Sequence, residues 1–294
     1  MVVAPGVFSP IVALLAQRRG FKAAYFSGGG FANLLGLPDL GLTTLTEVAD
    51  AVRRICSVVR LPIIVDVDTG FGEALNVSRT VHEVEISGAA AIHIEDQVMP
   101  KKCGHLSGKQ LVGADEMAKK IVSAKVQTKK NIVLIARTDA RAVEGLDSAV
   151  ERAHIYLKAG ADMIFPEALE TKEEFLEFAK KVDAPLLANM TEFGKTPYIA
   201  ASEFEKMGYK IVIFPMTAFR TMLKGVNGTL EELKTTGSQK NILEKMMTRD
   251  QVYDLINYYD YEKIDQRALD RTQDLFRLGG DNTKRLASRA NLDR

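Results

Sequence analysis

Short, nearly continuous apolar runs punctuate the chain, each bounded by glycine, proline or polar residues. They fall at Val2–Ala4, Ala23–Ser27, Ile63–Asp68, Ala90–Glu95, Ile132–Arg137, Met163–Pro166, Leu186–Asn189 and Ile211–Phe214. Brevity, β-branched content and the lack of a polar face mark strands buried on both sides. Between them, apolar residues recur at helical spacing with charges opposite, over Leu45–Val59, Ala114–Val126, Ser148–Ala159 and Thr171–Lys181. Gly20-Phe21, Gly88-Ala89 and Gly160-Ala161 stand at helix-to-strand joints, where glycine suits a helix C-terminal cap. Strands alternating with helices predict a parallel sheet. Eight such units favour closure into an α/β, (β/α)₈ TIM-type barrel over a doubly wound open sheet. Residues 1–294 read as a single barrel domain whose end, roughly 230–294, is a C-terminal helical extension. Within it Thr248–Tyr261 reads as a helix bearing Asn257-Tyr258-Tyr259-Asp260-Tyr261. That aromatic stretch packs either on its own barrel or on another subunit.

Barrel active sites lie at the C-terminal ends of the strands, and there the polar residues collect. Strand two ends Tyr25-Phe26-Ser27-Gly28-Gly29-Gly30; bare backbone can converge on an anion or simply turn the chain. Strand three ends Asp66-Val67-Asp68, and period two puts both carboxylates on one side. Two neighbouring like charges call for a cation or for one protonated partner. Mg²⁺ fits, taking one or two carboxylates, waters and substrate oxygens, with Mn²⁺ as a substitute. Glu95, ending strand four, is placed to hold metal-bound water, while His93 reads as a satisfied core histidine. Arg137 ends strand five; it grips a ligand carboxylate or pairs with Asp139 or Glu167. Asn189-Met190-Thr191-Glu192 follows strand seven, Arg220 follows strand eight, and Arg249 comes later. Together these describe an anionic, multi-carboxylate ligand held against a divalent metal.

Net charge is +1 across 294 residues, which gives no bulk drive toward nucleic acid or membrane surfaces. No apolar run approaches the roughly 20 residues that span a bilayer, and no signal-peptide pattern opens the chain. The two cysteines, Cys56 and Cys103, are too few for a disulfide framework and fit a reducing, cytoplasmic setting. Cys56 lies in an apolar helical pattern and reads as core. Cys103 lies in Gln97–Val112, a long βα connection of the kind that forms lids. Lys101, Lys102 and His105 flank it, and nearby positive charge predicts a lowered thiol pKa. A thiol arriving as the loop closes would suit proton transfer; an incidental exposed cysteine is the bland alternative.

Lys101-Lys102-Cys103-Gly104-His105 resembles the signature of the isocitrate lyase and phosphoenolpyruvate mutase superfamily. Ser27-Gly28-Gly29, Asp66-Val67-Asp68, His93-Ile94-Glu95-Asp96 and Ala136-Arg137-Thr138-Asp139 fall in the family's order. Cys-Gly-His is similar to the lyase branch, whereas phosphonomutases carry an asparagine-containing loop. Asn189-Met190-Thr191-Glu192-Phe193-Gly194 stands where isocitrate lyases proper carry another motif, and is similar to the branch that splits methylisocitrate. The resemblance implies cleavage of (2S,3R)-2-methylisocitrate to pyruvate and succinate, in the methylcitrate cycle of propionate catabolism. Isocitrate cleavage, or phosphonate or oxaloacetate processing, is the alternative. It further implies Mg²⁺ on Asp66 and Asp68 with Glu95 supporting, and Cys103, Tyr25, His105 and Arg137 in catalysis. A tricarboxylate would be bound by Ser27, Gly28, Gly29, Asp39, Cys103, Gly104, Arg137, Glu167, Asn189, Met190, Thr191, Arg220 and Arg249. Phe165, Ile213 and Pro215 could accept a methyl group or be plain packing. A homotetramer, a dimer of dimers with C-terminal helices swapped between subunits, is also implied.

Overall fold

The computed structural model describes residues 1–128 and 132–290, so the end of the expected extension, 291–294, lies outside the described residues. The strands are β1 (Val2–Val7), β2 (Ala24–Phe26), β3 (Ile63–Asp66), β4 (Ala91–Glu95), β5 (Val133–Thr138), β6 (Met163–Pro166), β7 (Leu187–Asn189) and β8 (Ile211–Phe214). They pair in parallel in the order β6-β5-β4-β3-β2-β1-β8-β7. A bridge between Ile164 and Leu186 brings the two ends together. This is the predicted TIM-type barrel, nearly closed.

Strand alternation divides the apolar residues into two cores. Residues such as Phe26, Val65, Ile92, Ile94, Leu134, Ala136, Ile164 and Val212 point outward into the helical layer. Tyr25, Ile64, Ala91, Ile135, Met163, Phe165, Leu187 and Ile213 fill the interior. The next inward positions, one step of period two further on most strands and two on β4, where His93 intervenes, lead from this plug to the barrel's upper rim. Asp66, Glu95, Arg137, Glu167 and Asn189 lie on those rows.

The helical layer follows from local signals. The helix Leu45–Cys56 is capped by Thr44, whose Oγ1 accepts from Glu47 N–H at 3.3 Å while the Glu47 carboxylate accepts from Thr44 N–H at 2.8 Å. Such reciprocal capping contributes about 1 kcal/mol. Gly20, Gly88 and Gly160 take positive φ, the left-handed exit that lets a helix turn back into the next strand.

The rough boundary at 230 is not a break between helices, as Leu230 lies inside the helix Thr217–Thr236, which ends on the left-handed Gly237. The chain divides into compact units at Met1–Gly237 and Ser238–Arg294. Thr248–Tyr261 is not one helix either. Asn257, at φ 55°, separates Arg249–Leu255 from Tyr258–Ala290. A short polar side chain tolerates that conformation. Tyr253 stacks on Tyr258 across the break, with centroids 4.3 Å apart. Among the described residues no helix is long and apolar enough to cross a membrane.

Candidate active site

A cavity of about 320 Å³ opens at the C-terminal ends of the strands. Tyr25, Ser27, Gly29, Asp39, Asp66, Cys103, Gly104, His105, Arg137, Glu167, Asn189, Thr191 and Arg220 all line it. Phe165, Ile213 and Pro215 form an apolar part of its wall. Residues far apart in sequence thus converge: Tyr25, Asp66, Arg137 and Asn189 on the inward phase of their strands, and Asp39, Cys103, Gly104, His105, Thr191 and Arg220 from the loops and helix that follow strand ends.

Met190 takes the opposite phase. Its side chain is buried in the outer core, and its sulfur accepts from Ile199 N–H, so the structure does not bring it to the cavity. Arg249 opens the helix Arg249–Leu255 in the second unit. Gly28 is spent internally: its amide donates to Asp66 Oδ2 at 3.2 Å. Ser27 Oγ accepts from Gly30 N–H at 3.1 Å, capping the helix Gly28–Leu34.

On β3 the two aspartates differ sharply. Asp66 accepts from Gly28 N–H, from Tyr25 Oη at 3.2 Å and from Asp68 N–H at 3.0 Å. Burial opposes its charge, but His93, Lys101 and Arg137 outweigh it and hold the carboxyl at about 2. Asp68 is pushed up to about 6, chiefly by burial and also by the charge of Asp66, with Lys101 opposing. The Lys101 ammonium, itself buried, pairs with Asp39 and lies 2.7 Å from Asp68 Oδ1. Glu95 lies 2.9 Å from Arg137 Nη1, yet burial lifts its pKa well above the carboxylate range.

Whether this pocket suits a divalent cation can be tested on its donors. Asp68 Oδ1 and both carboxyl oxygens of Glu95 are buried without an aligned hydrogen bond, although Lys101 lies 2.7 Å from Asp68 Oδ1 and Arg137 2.9 Å from Glu95 Oε2. Glu95 Oε1 has neither; a buried oxygen so left is costly, and a hard cation is a partner that would satisfy it. Among the described residues no group of three His, Cys, Asp or Glu is gathered ready to hold an ion. A metal that keeps several waters and takes one or two carboxylates does not require one. The residues present therefore fit such an ion.

Arg137 sits at the centre of the polar network. Its guanidinium meets Asp139 at 3.0 and 3.1 Å, Glu95 at 2.9 Å and Glu167 at 3.6 Å. Burial resists the charge of Glu167, but Arg137 and His105 hold its carboxyl below the usual range. Asn189 Nδ2 donates to both Glu167 oxygens, at 3.3 and 3.2 Å. Arg220 Nη1 is 2.7 Å from Glu192 Oε2 and donates to Thr191 Oγ1 at 3.3 Å. His93, read as a core histidine, is fully buried with Nε2 2.6 Å from Tyr25 Oη; burial lowers its pKa, with the Asp66 carboxylate opposing.

The Cys103 segment lies down on this network. His105 Nδ1 accepts from Lys195 N–H at 3.0 Å, and its Nε2 is 3.3 Å from Glu167 Oε1. A Cβ on Gly104 would overlap the Glu167 side chain and approach Arg137 Nη2 to 2.8 Å, so only glycine allows this approach. The expectation of a lowered thiol pKa is corrected. Burial raises the Cys103 pKa, with Glu167 and Asp39 adding to the rise; the His105 amide and Arg137 offset only part of it. Lys101 does not activate the thiol because its charge is turned toward Asp39 and Asp68. Cys103 is therefore a neutral thiol, the form that donates a proton. Cys56 is likewise pushed up by burial, to about 11, in the outer core.

In sequence Asp139 stood only as a pairing partner for Arg137, which the structure bears out, and Lys109 carried no signal by itself; both are buried.

Comparison with known proteins gives a consistent picture. The family model for phosphoenolpyruvate phosphomutase matches residues 1–234. A 2-methylisocitrate lyase of Aeropyrum pernix is 58% identical, covering 94% of this chain and 89% of that protein. A solved 2,3-dimethylmalate lyase, described as a PEP mutase/isocitrate lyase superfamily member, superposes with a TM-score of 0.86 at 37% identity, covering 91% of this chain and 90% of that one. A phosphonopyruvate hydrolase solved with oxalate and Mg²⁺ gives 0.83 at 28% identity, covering 92% and 94%.

Proposed function

The chain belongs to the phosphoenolpyruvate phosphomutase family, and from that premise we propose that it is a lyase cleaving (2S,3R)-2-methylisocitrate to pyruvate and succinate. The observation that carries this reading is the Cys103 thiol lining a cavity that also holds Arg137, Asn189, Thr191 and Arg220, with burial favouring its protonated form. The relative at 58% identity supports the choice of substrate. So does the apolar wall of Phe165, Ile213 and Pro215, which suits a methyl group.

Cleavage removes the proton of the C2 hydroxyl, forms the C2 carbonyl of pyruvate and breaks the C2–C3 bond. The electron pair passes to C3, beside a carboxylate, and the resulting carbanion needs one proton to become succinate. Cys103 delivers it, and Arg137 with the Asn189 amide stabilises charge on the anionic portion. Arg220 and Thr191 orient the remaining carboxylates. Asp66 and Asp68 would hold Mg²⁺ or Mn²⁺, with Glu95 supporting. Such an ion supplies Lewis acidity that eases loss of the hydroxyl proton. His105 holds Glu167 and the loop in register.

The same reading makes the protein a cytoplasmic homotetramer, a dimer of dimers acting in propionate catabolism. Exposed Tyr258, Tyr259 and Tyr261 support a subunit contact in the second unit. Purified protein with Mg²⁺ should release pyruvate from 2-methylisocitrate, and chelation should stop it until metal is restored. Glyoxylate from isocitrate without pyruvate from 2-methylisocitrate would reassign the substrate.

A further inference from the structure

Lys109 lies beyond the Cys-Gly-His signature, yet its side chain is only 1% exposed. Nζ donates to Asp139 Oδ1 at 2.7 Å and to the backbone carbonyl of Gly104. Asp139 is in turn buried and held from two sides. Its amide donates to Asp96 Oδ1 at 2.9 Å, and its carboxylate takes two bonds from Arg137. The neck of the loop is closed by Val98 N–H to Gln110 O at 2.8 Å and Val112 N–H to Asp96 O at 2.9 Å. Gln97 bridges across it to both backbone groups of Lys102.

We infer that Lys109 is a positioning residue that latches the Cys103 loop over the cavity. A buried ammonium is stable only while its protons find acceptors. The Gly104 carbonyl is such an acceptor only while the loop tip is down. Lifting Cys103 and Gly104 strips one partner from a charge that cannot reach water, so the down position is favoured. Asp139 thereby serves two ends of the reaction at once: it aims Arg137 at the ligand and anchors the arm that presents the thiol. The consequence for turnover rests on the reading of Cys103 as proton donor; the loop's position does not.

The experiment follows Cys103 alkylation by iodoacetamide, mapped by peptide mass, on the resting Mg²⁺-loaded enzyme, with hydrogen exchange of the peptide bearing Leu106, whose amide donates to Cys103 O. In Lys109→Met, alkylation should rise about tenfold, with faster exchange. kcat for 2-methylisocitrate should fall by one to two orders of magnitude while KM moves less than about threefold. Lys109→Arg, which keeps a multi-donor cation, should recover most of the protection. Lys109→Gln carries the same comparison if the methionine variant does not fold. Wild-type alkylation and exchange in a folded Met or Gln variant overturn the latch. Absence of pyruvate release from wild-type enzyme would sink the functional reading alone, because alkylation and exchange are read without substrate.

Discussion

Asp139 grips Arg137 side-on, its Oδ2 taking Nε at 3.0 Å and its Oδ1 taking Nη2 at 3.1 Å. Both side chains are buried, so the pair sets the direction of the guanidinium rather than merely neutralising it. Asp139→Asn should keep the size but lose the charge and one face of the pairing. A loss in kcat/KM of about two orders of magnitude, carried partly in KM, is expected from steady-state pyruvate release. An unchanged KM with unchanged kcat would show that Glu95 and Glu167 suffice to hold Arg137.

Cys103→Ser should reduce pyruvate release by about 10²–10⁴-fold, the usual worth of a positioned proton donor. Its thermal midpoint should stay near that of the wild type, since the thiol is only partly enclosed. A serine variant with near-normal turnover would remove Cys103 from the mechanism.

The pH profile follows from the raised thiol pKa. A donor must be protonated, and burial holds Cys103 in that form beyond the ordinary thiol range. The alkaline limb assigned to Cys103 should therefore fall above the ordinary thiol pKa, not near neutrality. Slow alkylation at neutral pH is the companion result. A limb near neutrality that vanishes in Cys103→Ser would mean a thiolate-stabilising site instead.

Gly104→Ala places a methyl where the Glu167 side chain already lies. The loop can no longer dock against Arg137 and Glu167, so kcat should drop by at least about tenfold with stability nearly unaltered. Calorimetry alongside turnover separates this from a general folding defect.

Asp96 has no role at the cavity surface, and its effect should be on stability. It is fully buried and accepts from Thr138 Oγ1 at 2.7 Å, Tyr156 Oη at 2.8 Å and Asp139 N–H at 2.9 Å, with Arg152 Nη1 at 3.4 Å. Asp96→Ala orphans these donors and should cost about 3–5 kcal/mol in denaturant unfolding. A cost near 1 kcal/mol would mean that water or rearrangement satisfies them.

Much of this was legible in one dimension because a buried parallel strand has no polar face and a period of two. The eight runs, their closure into a barrel and the gathering of Asp66, Glu95, Arg137, Glu167 and Asn189 at one rim all follow from that alternation. Gly20, Gly88 and Gly160 announced the joints because few other residues tolerate their φ. Three matters were decided only by tertiary structure, because each depends on distances through space. Lys101 looked like an activator of Cys103 by adjacency, but its charge is claimed by Asp39 and Asp68, and burial leaves the thiol neutral. Met190 sat among site residues in sequence, but strand phase turned it into the outer core. Lys109 carried no signal by itself, and only the fold brings its ammonium under the Gly104 carbonyl and against Asp139. Sequence sets which residues face inward; the pKa of a thiol and the partner of a buried charge depend on what the fold packs around them.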